Sequence, residues 1–203
     1  MSDITTIFFD VGGILLTNGW DHMTREAAAA VFEYDYEEAE EKHQHYVQSF
    51  ECGRTLLKEY LDKVIFTQPR HFTIEEYINF METQSKPHPK NIELIRKLAK
   101  QGKYELATIN NESLALNEYR IKYYKLYESI PHFFSSCYMG VMKPDCDIFQ
   151  RVLWITHREG QQCLFVDDRL ENVKAARSCG LQAAVVEQPS ELKNVLQAAG
   201  IQL

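Results

Sequence analysis

The sequence predicts a doubly wound α/β fold: a parallel sheet covered on both faces, interrupted after its first strand by an inserted α-helical lobe. Three observations carry that reading. Short apolar runs rich in β-branched and aromatic residues recur along the chain. Helical patterns lie between most of them. From about residue 17 to residue 88 the alternation stops, and only helical patterns follow one another.

The apolar runs are Thr5–Phe9, Glu105–Ile109, Phe134–Tyr138, Cys163–Val166 and Ala183–Val186. They are short and apolar rather than alternating, as strands buried on both faces are. Ahead of the second run, Asn91–Lys100 puts Ile92, Ile95, Leu98 and Ala99 on one helical stripe. Asp147–Thr156 does the same with Ile148, Val152 and Ile155. Helices over Leu170–Cys179 and Ser190–Ala199 are stopped by Gly180 and Gly200, since glycine accepts the left-handed conformation that ends a helix. The aromatic segment YRIKYYKLY, residues 119–127, reads as a helix half-packed on the sheet. Within the interruption, helices are expected over Thr24–Tyr34, Tyr36–Phe50, Thr55–Val64 and Thr73–Met81. Lys86-Pro87-His88-Pro89 marks the return to the sheet. Residues 1–16 and 86–203 are therefore expected to form the core domain, and 17–85 the helical lobe.

Composition bounds the function. At 203 residues, 45% hydrophobic and 25% charged, the chain suits one globular domain with an insertion. A net charge of −7 argues against nucleic acid, which selects basic surfaces. No apolar run approaches the roughly 20 residues a membrane span needs, and no basic start with an apolar core marks a signal peptide. The expectation is a cytoplasmic protein without membrane or nucleic-acid partners. Cys52, Cys137, Cys146, Cys163 and Cys179 are odd in number and never in C-x-x-C spacing. They read as reduced thiols. His43 and His45 project about 200° apart on a helix and so do not chelate together; they read as surface histidines. Trp20 and Asp21, at the start of the lobe, suit either substrate contact or core packing.

In open α/β sheets, ligands bind outside the carboxyl ends of the strands. The residues just beyond the apolar runs are Asp10, Asn110 and Asn111, Lys143 in GVMKPD, and Asp167 with Asp168 in LFVDDRLEN. Three carboxylates on one rim repel unless a cation lies among them. Oxygen ligands select a hard ion, most simply Mg²⁺. A lysine and amide donors beside such an ion suit a phosphoryl group, and a free carboxylate there can serve as nucleophile and form an aspartyl-phosphate.

Four segments, each at a strand tip and in the right order, resemble the motifs of the haloacid dehalogenase (HAD) superfamily: FFDVGGIL, YELATINN, GVMKPD and FVDDRLEN. The resemblance spans essentially the whole chain. It implies a Rossmann-like core with a helical cap domain, within which FECGRTLLKEYL resembles a cap segment common in phosphatase members. It implies that Asp10 is nucleophile and metal ligand, that the Gly12 carbonyl and Asp168 are further ligands, and that Asp167 supports the ion through water. Lys143 would neutralise the phosphate and the Asp10 carboxylate, and Asn172 would orient the acids. The implied function is Mg²⁺-dependent hydrolysis of small phosphorylated metabolites.

Two departures stand out. The family's usual first motif is Asp-x-Asp, whose second acid protonates the leaving group and later activates water; here that position is Gly12. Some phosphatase members also carry Asp-x-Gly. Without that acid, only the lobe or a water can supply the proton. The second motif normally ends in a hydroxyl residue and Asn. Alignment from Tyr104 sets Asn110 and Asn111 there, and a one-residue slip sets Ile109 and Asn110. Among rivals, an actin-like sugar kinase needs a longer chain and leaves Lys143 and the Asp167-Asp168 pair unused. A dehalogenase in the strict sense would set that acidic pair against its carboxylate substrate. A catalytically weak or silent relative that binds a phosphorylated ligand or a protein is the alternative that Gly12 motivates.

Overall fold

A computed structural model describes residues 3–203. Five strands, β1 (Thr6–Phe9), β2 (Glu105–Asn110), β3 (His132–Ser135), β4 (Cys163–Asp167) and β5 (Gln182–Val185), form one sheet in the order β3-β2-β1-β4-β5. Every pairing is parallel. Alternate side chains of each strand serve opposite faces. On one face Ile7, Phe9, Leu106 and Val166 pack with Ile95 and Leu98 of one helix (Pro89–Gln101) and Leu192 and Leu196 of another (Leu192–Ala198). On the other, Phe8, Ile109 and Phe165 meet Phe149 and Val152 of a helix over Cys146–Thr156, and Val173 and Ala176 of one over Leu170–Ser178. The fold class is the one the sequence predicts.

In chain order the helices are α1 (His22–Phe32), α2 (Tyr36–Glu51), α3 (Leu57–Val64), α4 (Ile74–Thr83), α5 (Pro89–Gln101), α6 (Leu114–Tyr123), α7 (Ser136–Met139), α8 (Cys146–Thr156), α9 (Leu170–Ser178) and α10 (Leu192–Ala198). Between residues 17 and 85 lie α1–α4, started by side-chain caps: Asp21 accepts from Thr24 N, Asp35 from Glu38 N, and Thr73 forms a capping box with Glu76. They build a separate apolar cluster, including Phe50, Tyr60, Leu61, Tyr77 and Met81, that Leu116 of α6 joins, with Phe50 stacked on Tyr60 at 4.0 Å. The two chain crossings into this lobe are tied together, Thr17 N donating to Lys86 O (2.8 Å) and Lys86 N to Thr17 Oγ1 (2.9 Å). The tip of α2 is seated on α7: Ser136 Oγ donates to Glu51 O (2.6 Å) and Arg54 Nη2 to Gly140 O (2.9 Å).

Three sequence expectations need correction. The third strand ends at Ser135, and the chain coils into α7 where the apolar pattern extended the strand to Tyr138. The Ser135 hydroxyl, turned inward to Asn110 and Asn117, closes the strand there. Cys146 and Cys179 form a disulfide with Cα atoms 6.1 Å apart, because α8 and α9 pack side by side and bring together residues 33 apart in sequence. The remaining Cys52, Cys137 and Cys163 are free. His43 is not a surface group; it is buried, its Nδ1 2.7 Å from the Tyr60 hydroxyl, while His45 is exposed. Among the described residues no helix is long and apolar enough to cross a membrane.

Candidate active site

Register builds the rim. Phe9 pairs with Val166, so the residues beyond them, Asp10 and Asp167, emerge side by side. Asp10 is buried; its Oδ1 accepts from Val11 N (2.7 Å) and its Oδ2 lies 3.0 Å from Lys143 Nζ. The same ammonium lies 2.6 Å from Asp167 Oδ2, so it bridges the two acids. Asp167 is fully buried, and its Oδ1 also accepts from Arg169 N (2.8 Å) and Asn172 Nδ2 (3.0 Å). Asn111 fixes the lysine from the other side. Its Nδ2 donates to Lys143 O and its Oδ1 accepts from Lys143 N, both at 2.8 Å.

The two glycines differ. Gly13 has φ +67°, and a Cβ there would collide with the Asp168 carboxylate. It alone needs to be glycine, both for its backbone angle and for the close approach. Gly12 has no left-handed φ, and a Cβ there would meet only the flexible Asn18 side chain, at 2.8 Å.

Burial, reinforced by Asp167 and Asp168, pushes the Asp10 carboxyl up to about 7 against the pull of Lys143. Burial opposes the Lys143 charge too, but Asp10 and Asp167 outweigh it and hold the ammonium above its usual range. Asp167 moves the other way: despite burial, Lys143, the Arg169 N–H and Asn172 keep it ionised below the usual carboxylate range. The shorter ion pair explains which acid the lysine serves first. Asp168 is raised by burial and by Asp167.

Oxygens of Asp10, Asp167 and Asp168 lie within 4.8 Å of one another. One lysine cannot balance three carboxylates, and Asp168 Oδ1 is buried with no hydrogen-bond partner among the described residues. An all-oxygen set with an orphaned carboxylate oxygen fits Mg²⁺.

Asp10, Gly12, Asn111, Lys143, Asp168 and Asn172 line a cavity of about 620 Å³. Asp167 lies beneath it. Asn110 does not reach it either; that amide is buried, donating to Asn117 Oδ1 (3.1 Å) and accepting from Ser135 Oγ (2.8 Å). The amide of the second motif that borders the cavity is therefore Asn111.

The helical lobe supplies the opposite wall, including Trp20, Arg25, Glu40, His43, Phe50 and Glu51. Arg25 is clamped on Glu40 by two hydrogen bonds (2.7 and 2.9 Å) and donates to Trp20 O (2.9 Å); those bonds hold the Glu40 carboxyl at about 2. Trp20 lines the cavity and packs edge-on to Tyr77 at 5.8 Å, so both roles expected of it are compatible. Asp21 also borders the cavity while capping α1. A buried pair, Arg120 Nη1 to Glu112 Oε2 at 2.9 Å, closes one end. Sequence reasoning missed Arg25, Glu51, Glu112 and Arg120, which reach the cavity from helices and loops rather than strand tips. The signals were the position of Glu112 directly after the second motif and of Glu51 inside the cap-like FECGRT segment.

Comparison with known proteins agrees with this geometry. The haloacid dehalogenase-like hydrolases match residues 4–180, and the chain belongs to that family. A sesquiterpene phosphatase, astK, of Aspergillus oryzae (strain ATCC 42149 / RIB 40) is 31% identical over 98 residues, which cover 47% of this chain and 48% of that protein. The match thus spans about half the length of that relative. A HAD-like hydrolase from Porphyromonas gingivalis superposes with a TM-score of 0.81 at 18% identity, covering 99% of this chain and 100% of its own. The HAD family enzyme bt-2542 of Bacteroides thetaiotaomicron, solved with magnesium and inorganic phosphate, gives 0.76 at 19% identity over 90% of this chain and 93% of its own. At these identities the structural likeness speaks for the fold.

Proposed function

We propose that this HAD-like hydrolase is a Mg²⁺-dependent phosphatase of small phosphate monoesters that works through an aspartyl-phosphate on Asp10. One observation carries the reading: the Lys143 ammonium touches both Asp10 and Asp167 while Asp168, beside them, keeps a carboxylate oxygen without a partner among the described residues. That arrangement suits a carboxylate nucleophile beside a hard-cation site, the equipment phosphoryl transfer needs. Asp10, Asp168 and the Gly12 carbonyl would hold the ion, which supplies charge for the phosphoryl oxygens. Lys143 favours the ionised form of Asp10 against burial and meets the incoming dianion. Asn111 holds the lysine in place, and Asn172 with Arg169 N holds Asp167. Residues 17–85 serve as a cap that limits the site to small, soluble esters. The name of the Aspergillus relative, a phosphatase, favours a phosphate ester over other hydrolase substrates.

The test is phosphate release from aryl, sugar and acyl phosphates with and without Mg²⁺. Wild type should turn over in Mg²⁺ and Asp10→Asn should not. Asp168→Ala should be inactive and should also lose the rise in Tm that Mg²⁺ gives wild type, since an ion bound only by the folded state stabilises it. A wild type inert across the panel, yet stabilised by inorganic phosphate, would turn the reading into that of a silent phosphate-binding relative.

A further inference from the structure

Resting on that reading, we propose that Glu51, carried by the helical lobe, is the general acid–base group of this active site and does what the chain's Gly12 cannot. Breaking the ester bond of an alkyl phosphate needs a proton on the departing oxygen, and no acid stands two residues after Asp10. Of the cavity's other protic groups, His22 is solvent-exposed at the start of α1, and those beside the strand tips are engaged. Lys143 is held between two carboxylates, Asn111 on the lysine's backbone, and Glu112 by Arg120 Nη1 and Ser113 N.

Glu51 is different. It lines the same cavity as Asp10, Gly12 and Asp168, and among the described residues none hydrogen-bonds to its carboxyl. Its backbone, by contrast, is fixed on the rim. Ser136 Oγ donates to Glu51 O (2.6 Å) and accepts from Glu112 N (3.0 Å), so one hydroxyl joins the tip of α2 to the loop after β2. Two residues on, Gly53 lies so close to the Cys137 carbonyl that no Cβ fits between them. A side chain free at its tip but anchored at its base is suited to proton transfer.

The charges facing it come from every side: Glu112 beyond β2, Arg25 on α1, Arg169 at the start of α9, and Lys143. Burial and Glu112 win over the three cations and push the Glu51 carboxyl up to about 7, so the acid and the base form are both populated near neutral pH. As Asp10 Oδ attacks phosphorus and the P–O bond to the leaving group breaks, the Glu51 proton passes to that oxygen. Glu51, now a carboxylate, takes a proton from the water that attacks the phosphorus of the aspartyl-phosphate. The P–O bond to Asp10 breaks, inorganic phosphate leaves, and both acids return to their starting states.

The experiment compares wild type, Asp10→Asn and Glu51→Gln on 4-nitrophenyl phosphate and butyl phosphate in Mg²⁺. General acid catalysis is worth about 10²–10⁴ in rate. Glu51→Gln should therefore lose about 10²–10³-fold on the butyl ester. With the aryl ester, whose phenolate departs unaided, it should still release a burst of about one nitrophenol per site and then stall, because the water step lacks its base. Glu51→Asp should recover part of the loss, and Gly12→Asp in the Glu51→Gln background should recover more on the butyl ester. An unchanged Mg²⁺-induced rise in Tm checks that the rim is intact. An active wild type with Glu51→Gln equally slow on both esters and burst-free, or unimpaired on both, overturns this proposal and leaves the phosphatase reading standing. Wild type inert on both overturns the two together.

Discussion

Lys143 carries more than its one charge implies. It is 2% exposed, with an acid on either side at 3.0 and 2.6 Å and the Phe165 ring beneath its ammonium at 5.4 Å. Removing one partner of a buried ion pair leaves uncompensated charge, a cost of about 3–5 kcal/mol. Lys143→Met should lower stability by that order and abolish most of the phosphatase rate. Mg²⁺ should restore part of the stability, because a cation at the carboxylates replaces the missing one. Thermal melts with and without Mg²⁺ decide it, and a variant as stable as wild type without the ion would show that the lysine is not the counter-charge. In the sequence the residue was readable from its place in GVMKPD, beyond an apolar run and in a segment that resembles the family's third motif; alone it would read as a surface lysine. Asn110 was misleading for a physical reason. A strand-tip amide can turn outward to a ligand or inward to buried hydroxyls, and Ser135, its register partner on the neighbouring strand β3 but 25 residues on in sequence, made the inward choice.

Among the elements, α2 shows where local reasoning stops. Its bounds were legible: the helix expected over Tyr36–Phe50 runs Tyr36–Glu51, with Asp35 as its cap. Its buried face was not, because the groups that bury His43 belong to α3. His43 is held neutral by burial, assisted by the nearby Arg25, with its pKa lowered to about 4. The sign follows from linkage: between about pH 6.5 and 4 the unfolded chain takes up a proton that the folded chain refuses, so stability falls as pH drops through that window. The shift corresponds to about 3 kcal/mol. His43→Gln should be less stable than wild type at pH 7.5 and should lose this part of the acid slope. Urea titrations at pH 7.5, 5.5 and 4.5 measure it, and parallel slopes for the two proteins would exclude His43 as the cause. The sheet strands were easier to read than α2, since an apolar run buried on both faces needs no knowledge of its partners. The exception, β3, overran only where Cys137 and Tyr138 continued the run into a helix.

At the scale of the whole molecule, the sheet and the helical lobe each own half of the cavity, and the joint between them decides whether the halves face each other. Both chain crossings are held against α6, Arg120 Nη2 donating to Thr17 O at 2.6 Å and the Tyr124 hydroxyl to Ser85 O. On the far side the tip of α2 sits on the segment 136–140. Gly53 is the tightest point of that seat: φ is +71°, and the Cys137 carbonyl occupies the place of a Cβ. Gly53→Ala must strain the backbone and lift the tip together. Asp10, Lys143 and Asp168 are fixed by the sheet and its loops, so the Mg²⁺-induced rise in Tm should survive. What moves is Glu51, two residues before the glycine. The variant should therefore reproduce the Glu51→Gln pattern in weaker form, losing at least 10-fold on butyl phosphate and clearly less on 4-nitrophenyl phosphate. Arg54→Ala, which removes one exposed hydrogen bond of the same seat, should lie between it and wild type. The readout is the ratio of kcat/KM for the two esters, which general loss of folded protein does not alter. A Gly53→Ala enzyme with the wild-type ratio would show that the seat of α2 has no part in aiming the acid.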